Sequence, residues 1–291
     1  MIRIGIDLGG TKIEAVTMDP DGNIQSRQRI PTPSGYPDMV NAIASIVRNL
    51  RAETAISPGV GVGHPGSANP DSGLIRGANS TWLNGRPLKA DLEHALGCEV
   101  RLSNDANCFA LSEAIDGAGA GASSVFGVIL GTGVGGGLVI DGKLHAGAQG
   151  IGGEWGHNPL PWPEPDEYPG PECWCGKAGC IETWLSGPGI AADRYRRTGD
   201  TLTPSEILAH REEFDRYVSR LAHALAHVVN IVDPEVIVLG GGVSNTPGLA
   251  EAVEAALPAQ VFNDQVSTRV RRHAHGDSSG VRGAAWLWPA S

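Results

Sequence analysis

The 291-residue chain has no run of 18 or more apolar residues, which excludes a helical membrane span. Positive charge is also scarce, since 22 Lys and Arg face 32 Asp and Glu, for a net charge of −10. A nucleic-acid groove needs clustered Lys and Arg to replace counterions, so that class is set aside. Charged residues make up only 19% of the chain and hydrophobic ones 41%, the balance of an ordinary globular enzyme. Cysteine is sparse and odd in number, at five, and three of them crowd into Cys173 to Cys180, where they have a better use than disulfides. Ile2, Ile4 and Ile6 alternate as in a strand, not a signal peptide, so a reducing cytoplasm is the expected compartment.

What the chain has in abundance is glycine, 41 residues gathered in short runs after apolar strands. Asp7-Leu8-Gly9-Gly10-Thr11-Lys12 lies between strand-like Ile2–Ile6 and Ile13–Met18. A Walker loop and a dinucleotide fingerprint both open into a helix, so neither fits. A hairpin turn here would offer backbone amides, the Thr11 hydroxyl and Lys12 to a phosphate, with Asp7 acting through Mg2+ or its water shell. The plainer alternative is a hairpin whose glycines supply positive dihedrals. Gly131-Thr132-Gly133-Val134-Gly135-Gly136-Gly137 spells G-x-G-x-x-G, yet strand-like Leu138–Ile140 follows it, so it reads as a second phosphate-holding hairpin. Gly240-Gly241-Gly242, after the apolar strand Val236–Leu239, either lets a flat ring approach the backbone or makes a tight connection. The recurrence of strand, glycine turn and strand points to an internally duplicated architecture.

Apolar spacing predicts helices over Asp38–Arg51, Asp91–Leu96, Ala106–Ile115, about Glu212–Ile231 and Gly280–Trp288. A further helix is expected after Gly242, with Pro247 as its first residue and Asn245 or Thr246 as its cap. Residues 159–172, rich in Pro and acid, are expected to form a loop without a fold of its own. His223 and His227, at helical i,i+4 spacing, are read as a solvated face and not a metal pair. Cys98 and Cys108 are read as buried small apolar residues.

The residues richest in chemistry follow. His157 with Cys173, Cys175 and Cys180 makes the ligand set of a closed, tetrahedral and therefore structural Cys3His zinc site. Glu154 and Glu182 flank it. Asn104 and Asp105 lie between a strand and a helix, where they serve either as a helix cap or as an orienting group and a general base. Asn79-Ser80-Thr81-Trp82 adds groups able to bind hydroxyls.

Asp-Leu-Gly-Gly-Thr-Lys at 7–12, Leu-Gly-Thr-Gly-Val-Gly-Gly-Gly at 130–137, Gly-Glu-Trp-Gly-His at 153–157 and Cys-x-Cys-Gly-x-x-Gly-Cys-Ile-Glu at 173–182 resemble the ROK family of bacterial sugar kinases and repressors. The likeness runs on through His275-Gly276-Asp277 and Arg282-Gly283-Ala284-Ala285. It implies an α/β, actin-like (ribonuclease H-like) ATPase fold of two domains, 1–115 with a C-terminal helix of about 278–291, and 116–277, with the active site in the cleft between them. It also implies ATP and Mg2+, structural Zn2+ on His157, Cys173, Cys175 and Cys180, and usually a homodimer. Asp105 would be the catalytic base, and Asn79, Asn104, Glu154, His157 and Glu182 would bind the sugar beside it. Phosphates would lie on Asp7, Gly9, Gly10, Thr11, Lys12, Gly131, Thr132 and Gly133, with adenosine near Gly241 and Gly242. Asn79–Gly85, Glu154–Trp162 and His275–Gly280 look most like proteobacterial fructokinases that also accept mannose. The expected reaction is therefore phosphorylation of the 6-hydroxyl of fructose, with N-acetylglucosamine kinase or glucokinase as the alternative. Family repressors need an added amino-terminal DNA-binding segment, which makes that reading the least favoured.

Overall fold

The computed structural model describes residues 2–53, 59–263 and 265–289; Ala290 and Ser291 of the expected C-terminal segment lie outside the described residues. The chain opens with β1 (Arg3–Leu8), β2 (Lys12–Met18) and β3 (Ile24–Pro31), then α1 (Tyr36–Ala52) and β4 (Gly59–His64). A small hairpin of β5 (Ser67–Ala68) and β6 (Ile75–Arg76) precedes α2 (Leu88–Leu96), β7 (Val100–Asn104) and α3 (Asp105–Asp116). A second series follows: β8 (Ser124–Leu130), β9 (Val134–Ile140), β10 (Lys143–Leu144), then helices α4 (Glu182–Leu185), α5 (Gly187–Thr198), α6 (Pro204–Leu208) and α7 (Arg211–Val232). It ends with β11 (Val236–Gly240), α8 (Leu249–Ala256), β12 (Arg269–Arg272) and α9 (Ser279–Trp286).

Two five-stranded sheets result, ordered β3-β2-β1-β4-β7 and β10-β9-β8-β11-β12. Each begins with a three-strand antiparallel meander and adds two parallel strands on the other side of the meander's first strand. The order within each series is thus 3-2-1-4-5, which bears out the duplicated architecture. β1 is buried along nearly its whole length, as a strand covered on both faces must be, whereas the edge strand β3 alternates half-buried and exposed. Met39, Ile43, Ile46, Val47 and Leu50 of α1 meet Ile4, Ile6, Val60 and Val62 in one core. Trp184, Leu221, Leu225, Ile237 and Leu239 anchor the other.

Two helices lie between the sheets: α3 packs on β8 and β9, α9 packs on β1 and β4, and the two pack on each other. Their backbones meet closely, for a Cβ on Gly283 would fall into the backbone of Cys108; α9 sits as closely on β4, where a Cβ on Gly61 would fall into the backbone of Ala284. Only glycine permits such an approach. The N-terminus of α3 then emerges at the end of β7, where Asp105 is held.

The structure departs from expectation in several places. The 135–137 glycines belong to β9 and not to the turn, because Gly135, Gly136 and Gly137 pair with Ile129, Val128 and Gly127. Pro247 does not start a helix. A 3-10 turn over Gly242–Asn245 comes first, and Gly248, at φ 76°, caps α8. Residues 159–172 do contain structure, a 3-10 turn at Pro165–Glu167 closed by a capping box from Glu164. Its acids have a purpose: Glu167 accepts from Arg220 Nε at 2.6 Å, and Arg220 also reaches Asp193 at 2.8 Å while lying over the Trp184 ring. A guanidinium buried in α7 needs those carboxylates. His223 and His227 are half-buried under the edge-on ring of Trp162, at centroid distances of 6.1 and 5.2 Å, so that face is covered. Cys108 is buried, but Cys98 is half-exposed, with its Sγ 2.7 Å from Arg51 Nη2.

Candidate active site

A cavity of about 780 Å³ brings together Asn79, Asn104, Asp105, Glu154, His157 and Glu182, the six residues expected to meet a sugar. A loop after β6, the end of β7, the starts of α3 and α4 and a 3-10 turn at Trp155–His157 supply them. Asn104 ends β7 in an extended conformation, and its Oδ1 accepts from the amides of Ala106 (2.8 Å) and Asn107 (3.4 Å). Its Nδ2 donates to Gly66 O at 3.0 Å. Asn104 is therefore a helix cap and a cavity wall at once. With the cap filled by its neighbour, Asp105 is left to face the cavity, and its Oδ1 accepts from the following amide at Ala106 at 2.8 Å.

The carboxylates raise one another. Burial pushes the Asp105 carboxyl above its usual range, the Ala106 amide opposes this, and Glu154 adds to the rise. Asp7, at the end of β1, is pushed up to about 6, chiefly by burial and then by the charges of Asp105 and Glu14, with Lys12 opposing. Burial also raises Glu154, against the pull of His157 and with a push from Glu182. Such clustering of acids in one hollow is typical of a site that handles protons or a cation.

Glu182, the first residue of α4, is held at both oxygens. Oε2 accepts from Val134 N at 2.9 Å and Oε1 from Trp174 Nε1 at 2.7 Å. Glu154 precedes a 3-10 turn, Trp155–His157, pinned by the Trp155 Nε1 bond to Gly135 O at 2.9 Å. The second glycine hairpin thus carries part of this cavity's wall as well as its own turn.

His157, Cys173, Cys175 and Cys180 converge, with one ligand atom from each lying within 4.8 Å of the others. Cys173 Sγ is 3.7 Å from His157 Nδ1, and Cys175 Sγ is 3.6 Å from Cys180 Sγ. A tetrahedron with zinc–ligand bonds of about 2.0–2.3 Å has edges of about 3.3–3.8 Å, so the set fits Zn2+. With Nδ1 turned to the sulfurs, His157 has its other ring nitrogen available to the cavity that it also lines.

A second cavity, of about 600 Å³, is lined by Gly131, Thr132 and Gly242 together with Gly187, Pro188, Pro204, Ser205 and Thr246. Gly241, at φ 81°, lies just before Gly242. Thr132 borders both cavities, and Gly187 N donates to Gly131 O at 2.8 Å, tying the hairpin to the start of α5. The first glycine hairpin borders neither cavity. Gly10 packs close to Ser80, and Lys12 pairs with the buried Glu14 at 3.9 Å.

Sequence reasoning missed the wall of the second cavity built by α5 and α6. Both helices carry start signals: Ser186 caps α5 with Pro188 in its first turn, and Thr203 with Glu206 forms a capping box on α6. It also missed Arg76 and Trp174 in the first cavity. Arg76 belongs to no recognisable motif, and Trp174 occupies the unspecified position between the first two cysteines of the 173–182 motif.

Residues 3–291 match the ROK family. N-acetyl-D-glucosamine kinases of Salmonella paratyphi B and Salmonella typhimurium are each 39% identical over 296 residues, covering 97% of this chain and 98% of theirs. Among solved structures, a ROK hexokinase from Thermus thermophilus superposes with a TM-score of 0.87 at 33% identity, over 98% of this chain and 97% of that one. A ROK family glucokinase from Streptomyces griseus, in complex with glucose and AMPPNP, superposes with a TM-score of 0.80 at 29% identity over 99% of both chains. The fold is the mixed α/β, two-domain actin-like ATPase fold. The chain belongs to the ROK family, and within it to the sugar kinases.

Proposed function

We propose that this protein transfers the γ-phosphoryl group of ATP to the primary hydroxyl of a hexose bound in the larger cavity. The observation that carries the reading is Asp105: a carboxylate at the start of α3, open to a cavity that already holds Asn104, Glu154, His157 and Glu182. Asp105 takes the hydroxyl proton as the oxygen attacks phosphorus, and its raised pKa makes it a better base than an exposed Asp. Asn79, Glu154 and Glu182 orient the remaining hydroxyls. Alignment of the two substrates supplies much of the rate.

The nucleotide would lie along the smaller cavity, with its base over Gly241 and Gly242 and its phosphates at Gly131, Thr132 and Gly133, which carry them toward the sugar. Asp7, Gly9, Gly10, Thr11 and Lys12 would complete the phosphate site from the facing hairpin. The neighbouring acids Asp7 and Asp105, close enough for the charge of Asp105 to raise Asp7, fit a hydrated Mg2+, which when bound would neutralise phosphate charge. Closure of the cleft between residues 1–115 with 278–291 and residues 116–277 would exclude water from the transfer. A homodimer in the cytoplasm is part of the same proposal.

Two acceptors are supported by different observations. The 39% identical relatives are N-acetyl-D-glucosamine kinases, which supports N-acetylglucosamine more directly than the fructose expected from sequence. Fructose is kept as a second reading on Asn79–Gly85, Glu154–Trp162 and His275–Gly280, whose residues resemble fructokinases. A coupled ADP-release assay over fructose, mannose, glucose and N-acetylglucosamine tests both levels. Turnover on none of the four overturns the kinase reading, and the best substrate decides the acceptor.

A further inference from the structure

Sugars are amphipathic: hydroxyls ring the molecule, but its C–H groups leave an apolar face. The larger cavity is rich in hydroxyl-binding groups, so its few apolar members are informative. One of them is Trp174. Its side chain lines the cavity and is 68% exposed, an unusual state for an indole in a folded protein. An exposed aromatic surface inside a polar cavity is how a binding site presents a flat wall with one polar handle.

The indole is also fixed in place. Its ring stands edge-on to His157 at a centroid distance of 4.9 Å and an interplanar angle of 87°. Its Nε1 donates to Glu182 Oε1 at 2.7 Å. Its backbone lies between Cys173 and Cys175 in a tight turn, where Cys173 N donates to Lys177 O and Gly176 N to Cys173 O. Three separate restraints therefore hold an exposed ring beside Glu182 and His157 at the cavity wall. A surface tryptophan with no role would not need them.

We propose that Trp174 is a specificity-determining residue of the acceptor site. Its ring is the wall against which the C–H face of the hexose lies, and its N–H holds Glu182 in the orientation that meets the hydroxyls. The proposal rests on the hexose-kinase reading and deepens it. Because Glu182 also accepts from Val134, beside the second glycine hairpin, Trp174 indirectly links sugar contact to the phosphate side. Loss of the wall affects the hexose first; loss of the N–H alone affects only the setting of Glu182.

The test compares Trp174→Ala and Trp174→Phe with the wild type, using whichever of fructose, mannose, glucose and N-acetylglucosamine the wild type turns over fastest. Trp174→Ala is expected to raise the hexose KM by about tenfold or more, as truncation of an aromatic anchor does, with the ATP KM nearly unchanged. Trp174→Phe keeps a ring but no donor, and should fall between the two. Titration of the wild type with the same four sugars, without nucleotide, should change tryptophan fluorescence, and that change should be lost in Trp174→Phe. A hexose KM for Trp174→Ala equal to that of the wild type overturns the proposal, as does an undiminished fluorescence change in Trp174→Phe. If Trp174→Ala does not fold, the Phe variant decides by the same two measures. Fluorescence response without turnover on any of the four sugars would overturn the kinase reading while leaving Trp174 as a sugar-contact residue.

Discussion

The two cavities meet at Thr132 yet are built on opposite principles. The larger one is furnished by side chains: three carboxylates, an imidazole and two amides reach it from several elements. The smaller one is furnished largely by backbone and small residues, with glycines at 131, 187 and 242, prolines at 188 and 204, and Ala191. Where a reaction needs a base and a set of hydroxyl contacts, the chain supplies functional groups. Where a ligand needs to lie against the chain, it supplies the absence of them. It follows that the first cavity is damaged by removing atoms and the second by adding them.

That contrast is broken most severely at Asp105. Asp105→Asn keeps the size and the start of α3 but removes the base, so kcat should fall by about 10²–10⁴-fold, the usual worth of general acid–base catalysis. Hexose affinity, measured by calorimetry, should be largely kept. Near-normal turnover in this variant would show that the acid-rich cavity is not where the proton goes.

The smaller cavity should respond only to bulk. A Cβ on Gly242 has nothing within 4 Å, so Gly242→Val is expected to fold normally while filling ligand space. The ATP KM should rise about tenfold, with the hexose KM unchanged. Gly241→Ala is the control. A Cβ there would collide with the backbone of Leu130, and φ is 81°, so this change should lower Tm as well as nucleotide affinity. If Gly242→Val raises the hexose KM instead, the assignment of the two cavities is reversed.

The Cys3His cluster tests whether the side-chain cavity depends on its frame. Cys175→Ser, or removal of the metal by a chelator, should lower Tm and raise the hexose KM several-fold, since His157 and Trp174 both depend on that loop. Unaltered hexose affinity in metal-free protein would separate the knot from the site.

The smallest effect expected is on pH dependence. In the proposed role Asp7 would hold Mg2+ only when ionised, and burial with two neighbouring acids pushes it up to about 6. Activity should therefore be full above that value and fall as pH drops through about 6, measured as kcat/KM. The folded pKa lies above the unfolded one, so the folded state binds the extra proton and Asp7 costs stability as pH rises from about 3.8 toward 6. Asp7→Asn should accordingly raise Tm at neutral pH while lowering activity. A Tm below that of the wild type would contradict this account of the buried acid.

Much of this molecule was legible from short patterns. The alternation of Ile2, Ile4 and Ile6, the spacing of Val40, Ile43, Val47 and Leu50, and the run Val236–Leu239 each mark an element, because one buried face repeats at the period of its own backbone. The Cys3His set was legible because metal ligands are few in kind and fixed in number. The 159–172 stretch was not, since its order comes from Arg220 in a distant helix, a contact with no local period. The α8 start was misread because Pro247 is a good first residue by propensity, but the 3-10 turn ends just before it and Gly248 just after it takes the cap. Trp174 escaped for a related reason. Its meaning lies in Glu182 and His157, which sequence spacing does not rank as its neighbours.

The glycine contact between α3 and α9 has a mechanical consequence. Each helix is seated on a different sheet, and at Gly283 their backbones touch with no side chain between them. Such a contact resists sliding, because any shift drives main chain into main chain, but it tolerates a small rotation about the point of touch. A side chain at position 283 would therefore wedge the two helices, and with them the two sheets, apart.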